Sequence, residues 1–540
     1  PRARPPTTLG GVIETHSKTG LTHPGAGISY SAGSFGYQRG SAEIGGAMGR
    51  FDAFAAITAS EADGYRDQSA TETLRVSANA GLRLSDRIET RLFAALVETD
   101  ALWPGTLTRA EFLADPGAAA LVSVRRNQKS DIDQKFLSSR TVLDMGPGLV
   151  TVTAGWNDRF KNHPTPGGIL LEDSETLSAG LLWTSAPGMG PWLTEAGLRY
   201  ATMDQDATTF AYAGGLNSPV SAQPGAVASD RVREASNTEA YVRLGYQASP
   251  ALLLSGSLAY LSTDRAERRG PLDPTTSPAY DISYDAWLPG AGLVWRVADS
   301  WSVFASLTRT AEAPSFFDLG GNQPLQPDRI PRLRMQTADT AEIGSRGRYG
   351  ALRWDATLYH GRLKGELLRL DAAGALNPPI LNADKTLRTG FELAGEADLT
   401  DSLFPGGPSL ALAGKYDWLW ARFDDDPVYG NNRVAGVPEH SAYAEARFGF
   451  GPNFTLTPNL TWRGSTRTDL FNTISAEAAV LIGLNATVEV GNVRLWVEGR
   501  NLTDERWVSA VNVVNQAGPG SGLYFPGDAA SVYAGISLRR

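Results

Sequence analysis

The residues with chemistry to offer are arginines set in pairs and threes. Arg125 adjoins Arg126, Arg231 stands two from Arg233, Arg268 adjoins Arg269, and Arg329, Arg332 and Arg334 share one short stretch. A guanidinium fork holds a carboxylate through two parallel hydrogen bonds, so such groups suit a small anionic ligand. Trp103, Tyr212, Tyr429 and Tyr524 could stack on a planar ligand, and His163 could touch one. Each has a plainer role as well. Arginines pair with nearby acids, rings pack loop on loop, and a lone loop histidine is usually incidental. For any single residue the plainer role is the commoner, but some of the set is expected to meet a ligand.

Other chemistry is excluded. The chain has five histidines and no cysteine, and none of them forms a cluster with transition-metal spacing. Asp424, Asp425 and Asp426 could hold a hard cation, although a solvated acidic loop is the default. No nucleophile elbow and no phosphate-binding loop occurs, so no catalytic residue, resident metal or cofactor is expected. The net charge of −9 is spread without a basic stripe, which argues against nucleic acid. No apolar run approaches the ~18 residues of a spanning helix. The lack of thiols suits an exported chain. Residues 1–6 have no apolar signal core, so export would require a mature or trimmed chain.

The elements that must carry these residues alternate with period two. Val493, Leu495 and Val497 oppose Arg494, Trp496 and Glu498; Val532, Ala534, Ile536 and Leu538 oppose Tyr533, Gly535, Ser537 and Arg539. Strand side chains point to opposite faces in turn, so each run has one greasy and one wet side. Leu352, Trp354, Ala356 and Leu358 oppose Arg353, Asp355 and Thr357 in the same way. His360 falls in that apolar phase and is assigned to the lipid or interface side. Ten tight turns rich in Gly, Pro, Asp and Ser interleave with eleven longer connections, which predicts twenty-two strands. The longer connections include residues 101–130, 161–173, 208–234, 268–281 and 508–527. The predicted fold is all-β: a 22-stranded antiparallel transmembrane β-barrel with short periplasmic turns and long extracellular loops. Twenty-two strands is the size of plugged transporters, whereas porins have sixteen to eighteen. In such a setting the outer arginines could also bridge lipopolysaccharide phosphates.

Several stretches resemble, in order, motifs of the TonB-dependent outer-membrane receptors. Leu9-Gly-Gly-Val-Ile13 with Lys18-Thr-Gly20 resembles the last strand of that family's plug. Asp63-Gly-Tyr-Arg-Asp67 resembles a motif of its second extracellular loop, and Ser306 to Ser315 a mid-barrel strand. Thr337 to Gly344, Asn382 to Thr386 with Gly390-Phe-Glu-Leu393, Gly436 to His440 and Asn501 to Asp504 follow. One departure is the final residue, Arg540, where an aromatic is usual.

The resemblance implies residues 1–24 as the C-terminal remnant of the plug and linker, and residues 25–540 as the barrel. It implies the bacterial outer membrane, and import driven by TonB–ExbB–ExbD through the missing N-terminal segment. The implied cargo is a small anionic chelate. Residues 102–116 resemble a loop of ferric-citrate-like siderophore receptors, and residues 507–515 with 522–527 resemble siderophore receptors and also the transporter for pyrroloquinoline quinone. Outer-membrane lipids, lipopolysaccharide and a surface lipoprotein are further expected partners. A structural or partner-binding barrel without transport stays open at this point.

Overall fold

The computed structural model describes residues 15–186, 188, 190–275, 278–320, 333–369, 380–400 and 407–540. Their alternating runs form a single 22-stranded sheet. Each strand is antiparallel to the next. The first, Gly25–Gly33, pairs with the last, Ser531–Arg539, in a register running from Gly27 opposite Arg539 to Gly33 opposite Tyr533. The sheet is therefore a closed barrel with no free edge, the condition for spanning hydrocarbon with strands. Arg540 completes the seam through its backbone: its amide donates to Ala26 O at 2.8 Å, and its carbonyl accepts from Ala26 N at 3.0 Å. That pairing is independent of side chain.

Apolar residues of one phase cover the outside. Leu307, Ile343, Leu358, Trp287 and Ile536 stand exposed there. The opposite phase lines the lumen with ion pairs such as Arg346 with Asp355 and Arg447 with Glu396. A soluble barrel would pack its inside with aliphatics, so the greasy exterior and charged interior identify a membrane wall.

Among the described residues the short turns fall where the sequence places them, with Gly49 at φ 62° and Gly491 at φ 59° as positions that favour glycine; the turns expected at residues 187–191 and 404–408 lie partly outside the described residues. The opposite end differs in one respect. Residues 161–173 and 208–234 are mostly strand rather than loop. Gly148–Pro164 turns within four residues into Ile169–Ser185, while Trp192–Tyr212 runs for 21 residues and Pro224–Ser249 for 26. About ten residues cross a membrane, so these strands rise well beyond it. Above the lipid both faces of a strand are wet, the alternation fades, and a strand reads as a polar loop.

The connections at this tall end carry small cores of their own. Leu107, Phe112, Val508, Val514, Leu523 and Tyr524 form one, and Phe423, Tyr429, Val434 and Leu470 another. Short helices help to build them. Arg109–Ala114 is closed by a capping box between Thr108 and Glu111. Arg66, within the motif at residues 63–67, is buried and donates to Gly105 O at 2.7 Å and Ala118 O at 2.9 Å, tying its loop to residues 102–130. Burial pushes its guanidinium below the ordinary arginine range.

Of the strand expected over residues 9–20, residues 9–14 lie outside the described residues. The remainder is not a strand; it reaches a turn in which His23 N donates to Thr19 O at 2.9 Å. This segment lies against the lumen wall. Asn79 Nδ2 donates to Lys18 O at 2.8 Å, and a Cβ at Gly20 would stand 2.1 Å from Gly46 O.

Candidate functional site

The candidate residues from the sequence separate into three groups at the extracellular end. The first is a clasp between connections. Arg126 lies 3.9 Å from the centre of the Tyr212 ring and donates to Gly214 O at 2.9 Å and to Ser221 O. Arg125 donates to Asn217 Oδ1, and Tyr212 Oη to Thr165 O at 2.6 Å. Trp103 packs edge-on to His163 at 4.9 Å, and the His163 ring bonds Lys129 O at 2.7 Å. His163 belongs to the strand Gly148–Pro164 and not to a loop. Of these five residues Trp103 keeps an exposed ring.

Tyr429 and Tyr524 form the second group. Tyr429 packs between Phe423 and Phe471, and its hydroxyl donates to Asn515 Oδ1 at 2.8 Å. Tyr524 is 3 % exposed against Phe112. Burial pushes both phenols up. Both rings are enclosed in loop cores, so neither face is open to a ligand.

The third group is an ionic chain on the lumen wall. Arg231 and Arg233 stand on the strand Pro224–Ser249, where the sequence suggested a loop. Arg233 Nε meets Glu267 Oε2 at 2.8 Å and its Nη1 lies 3.6 Å from Glu172 Oε1. Arg231 Nη1 meets Asp273 Oδ2 at 2.6 Å. Lys161 extends the chain to Glu172 at 3.7 Å. The phase places Arg231 and Arg233 inward, whereas Arg268 pairs with Glu234 at 2.9 Å on the other face. Arg329 lies outside the described residues.

Beside the ionic chain, a cavity of about 600 Å³ runs up the inner wall. Arg199, Asn237, Glu239, Thr263, Arg265 and Glu312 contribute to its lining. Arg199 pairs with Glu239 at 3.5 Å. Arg265 is held by neutral oxygens: Asp264 O at 2.8 Å, Asn237 Oδ1 at 3.2 Å and Ser236 O at 3.3 Å. Phe316, on the short helix Phe316–Gly320, leans over both Arg233 and Arg265 at 5.5 and 5.9 Å. A guanidinium fixed by dipoles beside a polar cavity keeps its full charge to attract an anion. The sequence reading did not single out Arg199 or Arg265. The signal was available in the phase, since Leu258 and Tyr260 face out and Leu261, Thr263 and Arg265 face in. Among the described residues no group of three or more His, Cys, Asp or Glu is placed to hold a metal ion.

Comparison with known proteins adds a family and a set of folds. The family model described as TonB dependent receptor-like, beta-barrel matches residues 28–502. The siderophore receptor PiuA from Acinetobacter baumannii superposes with a TM-score of 0.77 at 15% identity, over 98% of this chain and 82% of that one. The ferric citrate transporter FecA in its unliganded form gives 0.79 at 16% identity, over 96% and 79%. The ferric yersiniabactin uptake receptor FyuA from Yersinia pestis gives 0.78 at 14%, over 99% and 81%. At these identities the likeness is one of fold.

Proposed function

We propose, for a chain that belongs to the TonB-dependent receptor-like β-barrel family and lies in the bacterial outer membrane, that it imports a scarce anionic metal chelate. The cargo class we assign is a ferric siderophore of the ferric-citrate-like kind. The observation that carries this reading is Arg265, whose guanidinium is held by neutral oxygens at the edge of a lumen cavity. Carboxylates of a chelate would find there a preorganised fork, with Arg199, Asn237 and Thr263 as further polar partners and Phe316 as an apolar shield. Iron would arrive already chelated, and the protein would recognise the organic shell.

Tyr429 and Tyr524 leave the proposed ligand set because their rings are enclosed. Arg125, Arg126, Tyr212 and His163 hold connections together and shape the mouth. Trp103 remains available to stack on cargo. Arg231 and Arg233 act through the field of their ionic chain.

Energy would come from TonB–ExbB–ExbD acting on an N-terminal plug, of which residues 1–24 are the end and linker in this reading. The segment at residues 15–24 against the lumen wall supports that placement. The steps are binding and gated release, with no covalent chemistry. The rim connections offer a seat for a surface lipoprotein.

Uptake by cells carrying the intact gene tests this reading. Labelled ferric citrate, other ferric siderophores and pyrroloquinoline quinone are compared with and without TonB. TonB-dependent uptake of a ferric chelate is expected. Uptake of the quinone alone would replace the cargo, and uptake of none would favour a structural barrel.

A further inference from the structure

Arg66 ties its connection to residues 102–130, and the tyrosine before it, Tyr65, lines a cavity of about 340 Å³ at the extracellular end. The cavity lies beside the seam where Gly25–Gly33 pairs with Ser531–Arg539. Phe35 and Tyr37 reach it from the turn after the first strand, Phe525 and Asp528 from the last connection, and Tyr533 from the last strand. Two ring pairs stand in its wall: Phe35 with Tyr65 and Tyr37 with Tyr533, each with centres 5.4 Å apart. Asp528 is the one carboxylate among the lining residues.

Phe35 holds φ at 60°, in the left-handed region that a bulky side chain rarely adopts. The bonds around it impose that conformation. Its carbonyl accepts from Asp63 N at 2.9 Å and Gly64 N at 3.2 Å, and Ser34 N donates to Val532 O at 2.9 Å. Glycine would make the same turn without strain, so what the strained position supplies is the phenyl ring. Strain of this kind is kept where surrounding bonds over-determine it, and it gathers at ligand clamps.

The charges around the rings leave one acid open. Asp528 is fixed through its backbone, whose carbonyl accepts from Asn501 Nδ2 at 3.0 Å and from Trp507 Nε1 at 3.1 Å. Its side chain is exposed and makes no ion pair among the described residues. Arg66 also belongs to the wall, but its N–H groups turn to the carbonyls of Pro104, Gly105 and Ala118. Arg500 lies 4.7 Å from the centre of the Tyr533 ring, with its fork taken by Glu498 at 2.7 and 3.0 Å. Tyr533 therefore already receives a cation, and that cation is neutralised. Burial pushes the Tyr65 phenol up, and the carboxylates of Asp115, Asp504 and Asp528 add to the shift against Arg506 alone. The field at the rings is negative.

We propose that this cavity is a second small-molecule site and that its ligand is an organic cation of the alkylammonium class, with its head against the aromatic rings and its charge balanced by Asp528. Ring faces carry the negative part of the aromatic quadrupole and attract a cation, most strongly where water is excluded. An alkylated ammonium suits this wall better than a metal ion or a primary amine. It has little or no N–H to satisfy, and the wall offers rings and one carboxylate rather than a shell of acceptors. The volume lies at the lower end of small-molecule pockets. The cavity beside Arg265 is lined chiefly from the seventh to the eleventh strand, whereas this one sits at the seam, so the cation and an anionic chelate would bind apart. The assignment does not rest on the nature of the chelate.

The test is calorimetric titration of the full-length protein in mild detergent with choline and with 3,3-dimethylbutanol, its uncharged isostere. Choline is expected to bind at least about tenfold more tightly than the alcohol. Asp528→Asn should weaken choline about tenfold and leave the alcohol unchanged. Phe35→Gly should weaken choline at least about fivefold without lowering the thermal midpoint, since it removes a ring and relieves the backbone. Heat-modifiable gel mobility reports whether each variant is a folded barrel; if Asp528→Asn is not, the comparison of the two probes on the wild type decides alone. Equal binding of the probes, no binding of choline at millimolar concentration, or unchanged choline affinity in folded Asp528→Asn would overturn the proposal. Displacement of choline by ferric citrate would overturn it also, because the cavity would then be part of the cargo site.

Discussion

Arg126 and Tyr212 meet across two connections, the guanidinium carbon 3.9 Å from the ring centre, and the same arginine reaches Gly214 O and Ser221 O. One side chain therefore fixes the position of residues 213–223 relative to residues 102–130. Arg126→Ala removes a cation–π contact and the bonds to both carbonyls, together about 2–3 kcal/mol of local stability. Hydrogen exchange in residues 213–223 should accelerate while the thermal midpoint of the barrel stays unchanged. Unaltered exchange would refute the clasp.

The lumen wall holds a buried pair whose loss should be felt more widely. Arg91 Nη2 meets Asp52 Oδ2 at 2.6 Å, and Arg91 Nη1 donates to Asn79 Oδ1 at 2.6 Å. Asn79 in turn binds Lys18 O. Arg91→Ala leaves Asp52 buried without its partner and should cost about 3–5 kcal/mol in urea unfolding. Residues 15–24 should lose protection in the same variant. Asp52→Leu/Arg91→Met is expected to regain most of the stability, because it removes both charges together.

The proposed cargo site rests on a different arginine. Arg265→Ala should weaken chelate binding by about 2–3 kcal/mol, or roughly 30- to 150-fold, if a cargo carboxylate sits on it. Arg125→Ala is expected to change affinity less than about threefold, since its hydrogen bond runs to Asn217 between connections. Titration of the purified receptor with ferric citrate by tryptophan fluorescence measures both. Equal effects of the two substitutions would place the cargo elsewhere.

Asp273 gives a pH dependence with a definite sign. Burial pushes its carboxyl up, but bonds from the Thr275 side chain and amide, with Arg231 beside it, hold it below the usual carboxylate range. A lowered folded value means that the charged form stabilises the folded loop. That contribution is complete above the unfolded carboxylate value of about 4 and disappears as pH falls through the lower folded value. Exchange protection of residues 270–275 should be flat from about pH 5 to 8, once corrected for intrinsic rates, and decline below about pH 4. Asp273→Asn should remove the pH dependence and lower protection at neutral pH.

The enclosed aromatics predict a packing cost without a direct effect on cargo. Tyr524→Ala empties a core shared with Leu107 and Phe112 and should cost about 3–5 kcal/mol of order in residues 501–530. Trp103→Ala, at an exposed ring, should cost less than about 1 kcal/mol. Limited proteolysis of the extracellular end separates the two.

The strand count and both faces were legible because lipid and lumen impose opposite chemistry on alternate residues for the whole crossing. His360 illustrates this: its phase with Leu358 placed it outside, and it lies in a groove on that face. Where the strands leave the membrane the constraint ends. Arg231 and Arg233 were therefore read as loop residues although they sit on a strand of 26 residues.

By itself the sequence determined a closed antiparallel barrel of this family, its orientation of faces and its wealth of arginine at one end. Those properties follow from periodicity and composition, which act locally along the chain. Only the tertiary structure decided what each arginine touches. Arg126 and Tyr212 are 86 residues apart in number, and Arg91 and Asp52 are 39. Their partners are chosen by register across strands and by connections folding on one another. Arg265 gained its place beside the cavity in the same way, since Asn237 reaches it from the neighbouring strand and Phe316 from a helix further along the chain.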